Sequence, residues 1–92
     1  MERLSETEIA QRLDGSVWQR NGDAITRELE RGDFADAVAF VNRVAELAEA
    51  ANHHPDILVH DYKKVRLTLS THAAGGLTQR DFELAAQIDA AA

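Results

Sequence analysis

The segment DFADAVAFVNRVAELAEAANHHP, Asp33 to Pro55, constrains the fold more than any other stretch of this sequence. Asp33 is placed to cap a helix, and Phe34, Val38, Val41, Val44 or Ala45, Ala48 and Ala51 recur at helical spacing. Alanine, with the strongest intrinsic helix preference, fills much of the remainder. Pro55 disfavours helical geometry at His54, so the helix is expected to stop near Asn52 or His53. A second apolar set, Ala39, Phe40 and Leu47, lies off the main stripe. A helix on one sheet needs a single stripe. The surplus points to cover by another helix or another subunit, and a homo-oligomer is expected.

Shorter elements are marked by their ends. In SETEIAQRLDG, Ser5 is followed three residues later by Glu8, a capping-box pattern in which each side chain satisfies a free backbone N–H. Ile9 and Leu13 share a face and Gly15 is placed to end the helix, giving a first helix at about residues 6–13. VWQRNGDAITREL reads as two short strands around Asn21-Gly22, a pair that tolerates the positive φ angles of a tight hairpin. Ile25 and Leu29 take one face of the second strand, with Thr26 and Glu28 on the other. DILVHDY and KKVRLTLSTH read as two more strands. In the latter, Val65, Leu67, Leu69 and Thr71 alternate with Lys64, Arg66, Thr68, Ser70 and His72. AAGG is a loop. Thr78 then caps a last helix with Asp81 at its third position, and Leu77, Leu84, Ile88 and Ala91 recur along it at helical spacing, flanked by Phe82 and Ala85. The order α-β-β-α-β-β-α predicts an α+β fold, a four-stranded antiparallel sheet with three helices on one face.

With 92 residues the chain has room for one domain of modest stability, which association can strengthen. Its 10 Lys and Arg against 16 Asp and Glu give a formal charge of -6 without a basic cluster, so direct nucleic-acid binding is not expected. The absence of cysteine removes disulfides and thiolate metal sites and fits a reducing interior. MERLSETEIA lacks the apolar core of a signal peptide, and no segment approaches the ~20 apolar residues of a membrane span. A soluble, cytoplasmic protein with no membrane partner is expected.

All four histidines fall between positions 53 and 72. A metal site is one reading. Adjacent side chains such as His53 and His54 point apart on regular backbone, however, and the H-E-x-x-H spacing of helical zinc sites is absent. No metal is expected. Acid–base chemistry is a second reading, since histidine suits proton transfer near neutrality. The helix end before Pro55 carries partial negative charge, which favours a protonated imidazole. Glu49 lies one turn before His53, where it can hydrogen-bond it or hold its charge. The same pair also fits a plain helix ending, and spacing alone leaves those two readings level. His72 adds weight to a site, because it ends a strand and precedes AAGG, a loop where a ligand can approach the backbone. Asp81 fits the capping box of the last helix whatever else it does. His60 sits mid-strand and is read as a surface or interface residue.

The pattern runs Glu49, three residues, His53-His54-Pro55, six residues, Tyr62, nine residues, His72, eight residues, Asp81. These seven residue types over 33 positions, with LTLSTHAAGGLTQRDF around the third histidine, resemble the pterin-4a-carbinolamine dehydratase family. Weaker similarity in Asp33–Ile57, the Trp18 hairpin and the last helix extends the resemblance to most of the chain. The resemblance implies a four-stranded antiparallel sheet with three helices on one side, associating into dimers or tetramers. It implies a lyase without cofactor or metal that removes water from 4a-hydroxytetrahydropterin. The product is the quinonoid dihydropterin that a reductase recycles after aromatic amino-acid hydroxylation. Carried over by position, His53, His54 and His72 are the active-site histidines, with Glu49, Arg80 and Asp81 around them. His54 then leads proton transfer, with His72 on the other side of the pterin. His53 assists or binds, and Glu49 and Asp81 orient imidazoles. Asn52 stands where some family members carry an acidic residue. Two alternatives accompany this reading. One is a non-catalytic dimerisation or assembly module of the same fold, as animal members also serve a transcription factor. The other is a dehydratase acting on another pterin.

Overall fold

The computed structural model describes residues 2–92. In chain order they form α1 (Glu6–Leu13), β1 (Gln19–Asn21), β2 (Ala24–Glu30), α2 (Phe34–Ala51), β3 (Asp56–His60), β4 (Lys64–Leu69), a 3-10 turn at His72–Ala74 and α3 (Gln79–Ala91). The strands make one antiparallel sheet in the order β1-β2-β4-β3. The alternation read from the sequence is the one observed. Ile25 and Leu29 of β2 and Val65, Leu67 and Leu69 of β4 project from one face into the core. Ala37, Phe40, Val44 and Ala48 of α2, Leu84, Ala85 and Ile88 of α3, and Ile9 of α1 close that core. Each fully buried Val, Leu or Ile among them contributes about 1.5–3 kcal/mol. The fold is therefore the expected α+β arrangement, with all three helices gathered on one face and the other left open. No described helix is long and apolar enough to cross a membrane.

The capping box of α1 is present in both directions, with Ser5 Oγ accepting from the Glu8 N–H and Glu8 Oε1 from the Ser5 N–H, each at 3.1 Å. Ser5→Ala is expected to lower the unfolding free energy by about 1 kcal/mol, read from urea midpoints. Glu8 is held below its usual value of 4.5, first because it accepts the Ser5 backbone N–H. A depressed folded-state value stabilises the native state above the unfolded value and ceases to do so as pH falls through the folded one. Because Ser5→Ala keeps that backbone N–H, parent and variant both lose this contribution on acidification below that range.

Three local readings are corrected. The β1–β2 turn is Gly22-Asp23, not Asn21-Gly22, because Asn21 pairs with Ala24 and only Gly22 has a positive φ (61°). A single left-handed residue at the first central position is the type II′ requirement, whereas Asn-Gly serves a turn that needs two. On α2 the buried stripe is Ala37, Phe40, Val44 and Ala48, while Phe34 (56 % exposed) and Val38 (37 %) face outward. The same 3.6-residue period fits both sets, so periodicity alone did not choose between them. Finally, β3 stops at His60, not Tyr62, because Asp61 (φ 48°) and Tyr62 (φ 53°) both take left-handed backbone to reverse the chain into β4. Such geometry is costly for residues other than glycine.

Candidate active site

The end of α2 sets the first half of the site. Asn52 takes left-handed backbone (φ 49°, ψ 44°), a conformation asparagine tolerates better than most residues. The His53 N–H then bonds back to the Ala48 carbonyl (3.1 Å) and the Asn52 N–H to that of Glu49 (3.2 Å), a Schellman closure. This reversal sends the adjacent histidines to different environments. His53 is buried and His54 is exposed. Glu49 consequently meets His54, its carboxylate hydrogen-bonded to Nε2, and not His53 as expected from one helical turn. The helix ends at Ala51, so the i, i+4 relation to His53 never forms. Both partners are well exposed, and the pair acts as a weak tether on the His54 ring.

Asp81 anchors His53. It is fully buried at the third position of α3, where the helix N-terminus favours a carboxylate. Its Oδ1 lies 2.6 Å from His53 Nε2, and its Oδ2 accepts the Thr78 N–H (2.9 Å) and the Thr71 hydroxyl (2.8 Å). A carboxylate only accepts, which assigns the ring hydrogen of neutral His53 to Nε2. Nδ1 is left without a protein partner among the described residues. The capping role expected for Asp81 is present, and the same side chain also fixes an imidazole tautomer. Arg80, next to it, donates to the Ala51 (3.2 Å) and Asn52 (2.5 Å) carbonyls. It thereby pins α3 to the negative end of α2.

The second half comes from the chain after β4. That strand ends at Leu69, and Thr71 closes an isolated bridge with Gly76 (N–H to carbonyl, 3.1 Å). His72 therefore opens a 3-10 turn closed by left-handed Gly75 (φ 70°) and does not end a strand as expected. The bridge draws the chain out of the ladder, and the exposed His72 side chain reaches a cavity of about 300 Å³. His54, Asp56, Thr68 and Ser70 also line this cavity on the open side of the sheet. A second depression of about 230 Å³ shares His54, Ser70 and His72 and adds His53, Asn52 and Arg80. Together they fall at the small end of ligand-site volumes.

The structure thus brings His53, His54, His72 and Arg80 to one cleft. Glu49 and Asp81 line neither depression and reach the cleft only through His54 and His53. His60 pairs with Glu28 and lines neither depression. Sequence reasoning missed Thr71, Ser70, Thr68 and Asp56 as site residues. Thr71 did leave a signal, as the polar residue continuing the buried series Val65, Leu67, Leu69. Among the described residues, no three His, Cys, Asp or Glu side chains are grouped to hold a metal ion.

Over residues 2–91 the sequence matches the family described as pterin 4 alpha carbinolamine dehydratase. The chain belongs to this family. Among its pterin carbinolamine dehydratase relatives, one from Roseiflexus sp. (strain RS-1) is 54 % identical over 88 residues, 95 % of this chain and 94 % of that one. One from Chloroflexus aurantiacus (strain ATCC 29366 / DSM 635 / J-10-fl) is 53 % identical over 90 residues, 97 % and 96 % of the two chains. Both carry the name "Putative pterin-4-alpha-carbinolamine dehydratase". A crystal structure described as a transcriptional coactivator/pterin dehydratase from Brucella melitensis superposes with a TM-score of 0.89 at 35 % identity, covering 97 % of each chain. A pterin dehydratase-like protein identified as a RuBisCO assembly factor in the alpha-carboxysome gives 0.63 at 26 % identity, covering 79 % of this chain and 83 % of that one.

Proposed function

We propose that this chain is a 4a-hydroxytetrahydropterin dehydratase working by histidine acid–base catalysis. The observation that carries the proposal is that His54 and His72, from two separate segments, line one cavity with His53 beside them. Family membership supplies the substrate class. In the reaction the C4a–O bond breaks with its electron pair, and an acid delivers a proton so that the oxygen leaves as water. A base takes the proton from the adjacent ring nitrogen, whose N–H electron pair becomes the C=N bond of the quinonoid dihydropterin. No electrons are gained or lost overall, and one imidazolium and one imidazole suffice. Each positioned group of this kind supplies about 10²–10⁴-fold. His54 and His72 take the proton-transfer roles, His53 binds through its free Nδ1, and Arg80 and Asp81 hold the frame.

The test is a stopped-flow dehydration assay on synthetic 4a-hydroxytetrahydropterin, with and without chelator. Acceleration indifferent to chelator is expected. No acceleration removes the enzyme reading, and chelator sensitivity revives a metal. A second reading, an assembly module of the same fold, draws on the outward Phe34 and Val38 of α2 and on the assembly-factor relative. It gives the three histidines no task, and the same assay separates the two. Self-association as a dimer or tetramer belongs to either reading.

A further inference from the structure

The two halves of the cleft come from different segments, the end of α2 and the turn after β4. One side chain touches the anchoring of both. Thr71 is buried, its hydroxyl donates to Asp81 Oδ2 at 2.8 Å, and His72 follows it directly in the chain. The other oxygen of that carboxylate holds His53. We infer that Thr71 is a positioning residue, whose hydroxyl sets the orientation of the Asp81 carboxylate and ties the His72 turn to the group that holds His53. Its catalytic consequence rests on the dehydratase reading, while its structural consequence does not.

The hydrogen bookkeeping shows why a hydroxyl is required. Thr71 Oγ1 carries one hydrogen, which is committed to Asp81. It therefore accepts from Thr78 Oγ1 at 2.8 Å, and Thr78 Oγ1 in turn accepts the Arg80 N–H at 3.3 Å. Every side-chain oxygen of this buried cluster thus has a partner. Without the Thr71 hydroxyl, Oδ2 keeps only the Thr78 N–H, and a terminal carboxylate torsion is broad. Rotation there moves Oδ1 off His53 Nε2 and removes what selects the Nε2–H tautomer. Valine keeps the shape of threonine and lacks the donor, which isolates the hydroxyl from the packing.

The test compares Thr71→Val with Thr71→Ser by two readouts. One is the long-range ¹H–¹⁵N spectrum of the histidine rings in the substrate-free protein. The other is steady-state kinetics on 4a-hydroxytetrahydropterin. Thr71→Val is expected to lower kcat about tenfold with KM changed less than about twofold, because the turn that carries the proton-transferring His72 loses its tie to Asp81. Its His53 ring pattern moves from a single Nε2–H form to an averaged one. Thr71→Ser restores the hydroxyl and keeps both parent values. Equal losses in the two variants, or a valine variant with the parent spectrum and kcat, overturn the inference. If the valine variant does not fold, Thr71→Ala is compared with Thr71→Ser in the same way. A parent protein without dehydratase activity removes the proposed function, and the ring spectra still decide for or against the Thr71 lock.

Discussion

His54→Ala and His72→Ala are each expected to lower kcat on 4a-hydroxytetrahydropterin by about 10²-fold, the usual contribution of one positioned acid or base. Both side chains are exposed and neither fills the core, so unfolding midpoints should stay within about 0.5 kcal/mol of the parent. That separation of activity from stability is what an active-site role requires. His60→Ala supplies the control, because His60 pairs with Glu28 away from the cleft and its loss should leave kcat unchanged. Unchanged rates for both cleft variants would sink the assignment of these histidines.

The largest stability effect is expected at Asp81. Asp81→Ala strips three donors, His53 Nε2–H, the Thr71 hydroxyl and the Thr78 N–H, of their acceptor inside the fold. Leaving such groups unpaired should cost about 3 kcal/mol, read as a lowered urea midpoint at constant slope. Asp81→Asn separates stability from tautomer control. Its oxygen can still accept from Thr71 and Thr78, so most of the stability is retained. Its amide then points N–H groups at His53 and forces the hydrogen from Nε2 to Nδ1, the wrong tautomer for a free acceptor in the cleft. A stable protein with kcat/KM reduced by about 10²-fold is expected, because a substrate-binding acceptor has become a donor. An Asp81→Asn variant as active as the parent contradicts the role given to His53 Nδ1.

Much of this architecture was legible because local chemistry and global packing agree. The Val65-Leu67-Leu69 alternation, the Ser5 and Thr78 capping boxes and the Pro55 stop each fit the observed elements. Where the sequence misled, long-range geometry decided between local options of equal merit. Phe40 rather than Phe34 is buried because α2 rotates to present Ala37 and Phe40 to the sheet, a choice the helical period does not make. Glu49 meets His54 because left-handed Asn52 reverses the chain, and asparagine marks such a position only weakly. Thr71 escaped notice because its partner Asp81 lies on another element, 10 residues on. The histidine pattern was readable as chemistry, but the separation of a buried His53 from an exposed His54 was not.

The central claim is that His54 and His72 face one pterin. It is tested most directly by titrating a stable dihydropterin into ¹⁵N-labelled protein and following the histidine ring resonances. The account predicts that the His54 and His72 rings shift together along one binding curve, while His60 stays in place. A silent His54 or His72 ring, separate curves for the two, or a response at His60 alone would contradict it.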